Sequence, residues 1–179
     1  MAKQKNSKQL ELIQTLLNDA YLQKDDNAKK LVEGNVMERK IIVNQDLEYL
    51  LYKFDEDKNL LPFFGNTSGL KQVCDYFLFV ENKKSLHILL IELKKGTESA
   101  RKQLVAAEYF TNFILKSAER VGIKLTENIF IKKVRISENR ANKRTTAGII
   151  PLEYDVNEII NYDYVNLFRI NAVLDILIL

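Results

Sequence analysis

Asp75 and the triplet Glu92-Leu93-Lys94 put two carboxylates and an amine into the most apolar part of the chain. Carboxylate pairs bind divalent cations through oxygen, at about 2.0–2.6 Å. An ion so held polarises a phosphoryl oxygen and acidifies water, and a nearby ammonium stabilises the charge that develops. The set therefore suits metal-assisted hydrolysis. The Leu93 carbonyl is a further oxygen ligand in reach. A charge inside an apolar strand is costly unless it is paired or coordinates a metal, which weighs against reading Asp75 and Glu92 as ordinary rim residues.

Two strands must position these groups. Residues 73–80 (VCDYFLFV) are aromatic and β-branched, and residues 85–93 (SLHILLIEL) carry few polar side chains. The polar run 81–84 supplies a turn. Paired as an antiparallel hairpin with Glu81 facing Lys84, or Val80 facing Ser85, the strands place Asp75 opposite Leu90 and Val73 opposite Glu92. Asp75 and Glu92 are then diagonal neighbours on one face, roughly 7–8 Å apart. Lys94, two residues on, shares that face. Lys95 points to the other. A one-residue slip would separate the carboxylates.

The remaining pattern predicts an amphipathic helix over 7–22 and a polar connection over 27–35. Residues 38–43 read as a strand or a helix continuation. A second apolar stripe runs through Leu47, Leu50, Leu51 and Phe54, with Asp46 as a possible helix N-cap. A loop follows at 65–69. Gly96 ends the second hairpin strand, and a long helix over 98–120 has Leu104, Ala107, Phe110, Ile114, Ala118 and Val121 on one stripe. A strand at 128–137, a basic loop at 138–146, a short strand at 149–150, a helical turn at 156–160 and strands at 164–171 and 173–179 complete the chain. The order predicts an α/β fold with a mixed central sheet flanked by helices. With few prolines and glycines and no repeat, residues 1–179 read as a single domain.

Cys74-Asp75, Glu92-Leu93-Lys94 and Ala100-Arg101-Lys102-Gln103-Leu104 together resemble the PD-(D/E)XK, or restriction-endonuclease-like, superfamily of nucleases. Cysteine stands in place of the family's proline, and Ala100–Leu104 looks like its A-x-x-Q-L. The resemblance covers residues 69–121 well. It implies a restriction-endonuclease-like core and a Mg²⁺-dependent nuclease in which Mn²⁺ substitutes. Asp75 and Glu92 would be metal ligands, Lys94 the catalytic lysine, and Gln103 a supporting polar residue. Members often add an upstream acidic residue, for which Glu33, Glu38 and Glu48 are candidates. The family's habits point to DNA as substrate and to roles in defence, repair or recombination. A catalytically inactive nucleic-acid-binding module with this fold is the alternative, and an unrelated α/β interaction domain is a third reading.

The net charge of +3 is modest, so a nucleic-acid surface must come from local clustering. Residues 132–144 hold six cations (Lys132, Lys133, Arg135, Arg140, Lys143, Arg144) against Glu138. With Lys95, Arg101 and Lys102 beside the acidic pair, they are candidates for phosphate contact. The lone histidine, His87, alternates onto the face opposite Glu92 and is expected to be structural. Cys74 is expected to be a buried, inert thiol. One cysteine and no membrane-length apolar run indicate a cytoplasmic protein. The apolar end, Leu174–Leu179, is expected to pair into the sheet or to cover a partner subunit, which leaves a homodimer or a partner protein open.

Overall fold

In the computed structural model, residues 8–34, 37–43, 47–54, 60–65, 67, 69–137, 152, 154–162 and 167–175 are described. The architecture is mixed α/β, and the described residues form two sheets. The larger is built from β3 (Glu48–Tyr52), β4 (Tyr76–Asn82), β5 (Ser85–Lys94), β6 (Ile129–Ser137) and β7 (Ile159–Tyr162), side by side in that order. β3, β4 and β5 run antiparallel; β6 and β7 are parallel to β5. The helix α2 (Arg101–Arg120) makes the crossover from β5 to β6, as parallel neighbours require. The smaller sheet joins β1 (Lys30–Glu33), β2 (Met37–Ile42) and β8 (Leu167–Arg169), with β2 central.

Two layers cover the large sheet. On one face Phe77, Phe79, Leu86, Ile88 and Leu90 pack against Leu104 and Ala107 of α2 and against Leu10 and Ile13 of α1 (Lys8–Leu16). On the other, Leu78, Val80, Leu89, Ile91 and Leu93 meet Leu31, Met37 and Ile41 of the small sheet and Val173 of α3 (Ile170–Leu174). β5 is covered on both faces, so its sequence is nearly continuously apolar. β2 has one covered face, and its burial alternates: Met37, Arg39 and Ile41 in, Glu38 and Lys40 out. The N-terminus of α1 is anchored by Glu81, whose carboxylate accepts the Gln9 N–H at 2.8 Å. An anion is favoured at that end of a helix.

Several expectations change. The first helix stops at Leu16 and is followed by 3₁₀ turns at Asp19–Tyr21 and Asp25–Lys29. The supposed connection 27–35 contains β1, and 38–43 resolves as a strand. The stripe at 47–54 is strand β3, because five residues there pair with β4 and tertiary pairing overrides a helix-like spacing; Asp46 lies outside the described residues. The helical turn at 156–160 is a turn leading into β7. Among the described residues near the end, Leu167–Arg169 is strand and Ile170–Leu174 is helix. Residues 138–151, with the predicted basic loop and the strand at 149–150, lie outside the described residues, as do 176–179. No helix among the described residues is long and apolar enough to cross a membrane.

Candidate active site

The hairpin turns tightly at Lys83-Lys84, so Asn82 faces Ser85 and both Glu81 and Asn82 belong to the strand. Relative to the sequence-based pairing the register is shifted by two residues. An even shift keeps every side chain on its face, but it moves Asp75 from a diagonal position to one directly beside Glu92, one step beyond the pair Tyr76–Ile91. Asp75 itself precedes β4 rather than lying within it.

The two acidic residues are interlocked. The Asp75 N–H donates to Glu92 Oε2 at 3.1 Å, and Asp75 Oδ2 accepts the Leu93 N–H at 2.6 Å. The Asp75 carboxylate thus takes a backbone donor just past the end of the β4 ladder. Lys94 closes the set: its Nζ meets Glu92 Oε1 at 2.6 Å, with side-chain exposures of only 15% and 4%. Burial pushes the Glu92 carboxyl above its ordinary value, with Glu33 pushing the same way, against the pull of Lys94 and of the Asp75 N–H. For Lys94, burial works against the charge, but the hydrogen bond and charge of Glu92, and then the charges of Asp75 and Glu33, raise it overall. The ammonium is therefore firmly held.

Glu33, at the end of β1, is the upstream carboxylate whose charge reaches both Glu92 and Lys94. Its Oε2 is buried without a hydrogen-bond partner. Glu38 is instead exposed in an ion pair with Lys30, and Glu48 lies on β3 opposite Glu81. Sequence reasoning could not choose among the three because β1 was not legible as a strand. The placement of Glu33 depends on the small sheet, which Tyr76 ties to the hairpin: its hydroxyl accepts the Val32 N–H and donates to the Val32 carbonyl, both at 2.9 Å.

The other candidates are spread more widely. Lys95 is exposed just after β5. At Gly96 the backbone adopts a φ of +55°, the left-handed conformation that glycine takes without strain, and the chain turns towards α2. Arg101 lines a pocket of about 370 Å³ with Gly96–Ala100, Arg135, Ser137, Asp155 and Asn161. Lys102 and Gln103 line a second, of about 480 Å³, with Thr67, Gly69, Leu70 and Gln72. Neither lining includes Asp75, Glu92 or Lys94.

Three cations of the basic segment are committed elsewhere. Lys132 is buried and donates to the Val173 and Leu174 carbonyls; Lys133 is buried against Glu108. Arg135 donates to the carbonyls of Gly96 and Glu98, bracing the loop between β5 and α2. Lys132 and Lys133, being buried, correct the reading of the whole segment as a phosphate-contact surface. In the middle of β6 both faces are covered, and charges buried there must find protein partners. Arg140, Lys143 and Arg144 lie outside the described residues.

His87 stacks on Phe130, with centroids 5.1 Å apart, and burial followed by the charge of Lys132 lowers its pKa. Cys74 is buried; desolvation first, then the charges of Glu92 and Asp75, push its thiol well above the ordinary value. A thiol held protonated is a poor nucleophile.

Among the described residues, no group of three His, Cys, Asp or Glu side chains stands ready-arranged around one metal position. The donor chemistry is nevertheless that of a hard cation: carboxylates from Asp75, Glu92 and Glu33, one of them with a buried, unpartnered oxygen. No protein-family model, no curated protein and no solved structure matches this chain.

Proposed function

We propose that the chain is a metal-dependent nuclease that hydrolyses phosphodiester bonds, with DNA as its substrate, and that its core is restriction-endonuclease-like. The observation that carries this reading is the interlocked set of Asp75, Glu92 and Lys94, with the orphaned Glu33 oxygen beside it. An antiparallel β4–β5 hairpin followed by a helical crossover to parallel β6 is the topology such a core needs, which supports the assignment.

Asp75 and Glu92, with the Leu93 carbonyl and Glu33 beside them, would hold Mg²⁺ or Mn²⁺. A bound divalent ion supplies polarisation of a phosphoryl oxygen and a lower pKa for water. The chain's own part is positional. The Asp75–Leu93 and Asp75–Glu92 bonds fix the carboxylates at the hairpin end. With the Glu92 charge taken up by a bound ion, Lys94 would orient the attacking water and stabilise negative charge on the phosphate.

The alternative, a binding module without activity, is favoured by one observation: Lys94 and Glu92 neutralise each other at 2.6 Å, and no three-ligand group is preformed among the described residues. Incubation of the protein with plasmid, single-stranded DNA and RNA, each with Mg²⁺, Mn²⁺ or EDTA, separates the two. Cleavage that requires the ion supports the nuclease. Retarded but intact nucleic acid under every condition supports the binder.

A further inference from the structure

Along α2 the residues that face the sheet are Leu104, Ala107, Thr111 and Ala118, all buried. At about 100° per residue, the opposite side of the helix is lined by Lys102, Tyr109, Phe113, Lys116 and Arg120. All five are exposed, Tyr109 by 72% and Phe113 by 64%. Neither ring stacks on another ring among the described residues. Glu119 meets Lys116 at 2.8 Å from the side of this stripe, and no acidic side chain lies within it.

We propose that this face of α2 is a track for single-stranded nucleic acid, which Tyr109 and Phe113 hold by stacking on its bases and Lys102, Lys116 and Arg120 by contact with its phosphates. Two outward rings one helical turn apart, about 6 Å along the axis, present flat apolar surfaces to successive bases. An apolar protein partner would account for the rings alone. The cations above and below them favour a polyanion. A duplex hides the faces of its bases within the stack, whereas a single strand offers them. The stripe spans about 27 Å from Lys102 to Arg120. Its beginning adjoins the loop that leaves Lys94, so a strand lying along it is led towards the carboxylates. This deepens the nuclease reading and, in its last point, rests on it.

The test is binding in EDTA, which needs no cleavage and so separates failure of this track from failure of the nuclease assignment. Fluorescence anisotropy of labelled single-stranded DNA and RNA, roughly 20 nucleotides long, and of a duplex of equal length is measured with the full chain. Tyr109→Ala/Phe113→Ala should weaken single-strand binding by about tenfold or more and leave duplex binding unchanged. Phe113→Trp should retain affinity, and its emission should be quenched as bases stack. Sedimentation of both proteins checks the rival occupant. The track is overturned if the single strand does not bind, if the double variant binds it like wild type, or if affinity for both ligands falls equally. A wild-type dimer that becomes a monomer in the double variant also overturns it, since a second copy then covers this face.

Discussion

In the middle of β6, Lys133 meets Glu108 at 3.0 Å and Glu158 at 3.5 Å, and Lys132 donates to two carbonyls at the end of α3. At the end of β5, Lys94 meets Glu92 at 2.6 Å, in surroundings that also feel the charges of Asp75 and Glu33. The first region gives its buried ammonium groups partners that cap a helix or join it to the sheet. The second sets one ammonium against one carboxylate within the fields of two more, Asp75 and Glu33, and leaves a buried Glu33 oxygen unpartnered. Buried charge serves structure where it is matched. Where negative charge is in excess, the fold bears a cost that a bound cation would remove.

The largest effect that sharpens this contrast is expected at Lys94. Lys94→Ala should keep the fold and most nucleic-acid affinity, yet reduce cleavage by ~10²–10³. Lys95→Ala, on the exposed residue next to it, should cleave nearly as wild type. Equal losses in the two variants, measured with contaminant-free protein, would erase the distinction between a reactive and a structural lysine.

Lys132→Met should do the reverse. Two buried carbonyls lose their donor, for about 2 kcal/mol of stability, read as a lower urea midpoint, while the rate constant of the folded fraction is unchanged. A variant as stable as wild type would show that Lys132 does not hold α3 to the sheet.

Cation linkage gives a smaller effect. Mn²⁺ should raise the melting temperature of the wild-type protein, because a ligand that binds only the folded state stabilises it. Glu33→Gln should shrink that rise, and Glu38→Gln should leave it intact. If Glu33→Gln shows the full rise, the orphaned oxygen has no part in cation binding.

The smallest concerns His87, which links the matched region to pH. Burial, and then the Lys132 charge, lower its pKa in the folded chain below 6.5. The unfolded chain therefore takes up the proton first. The stability that the neutral ring contributes is present above pH 6.5 and is lost as pH falls through that value towards the lowered one. His87→Phe, which keeps a ring against Phe130, should flatten this part of the stability–pH curve. An unchanged slope would assign it to other groups.

The meeting of Asp75, Glu92 and Lys94 was legible because residue type and a period of two are local properties. Their common face survived a register error, since the error was even. Strand composition likewise exposed the hairpin, α2 and β6, whose apolar patterns are long and regular. The turn was placed within 81–84, though not narrowed to Lys83-Lys84; the strand character of Glu48–Tyr52 and the helix at Ile170–Leu174 were not legible, because each depends on partners distant in sequence. The same holds for the reach of the Glu33 charge to Glu92 and Lys94, which required β1 to dock through Tyr76. It holds too for the fate of Lys132, Lys133 and Arg135: a run of cations reads as solvated until packing on both faces of β6 supplies it with carbonyls and carboxylates. The sequence by itself determined which groups could do chemistry and on which face of the hairpin they stand. Only the tertiary structure decided which charges are neutralised, because that depends on what the rest of the chain brings against them.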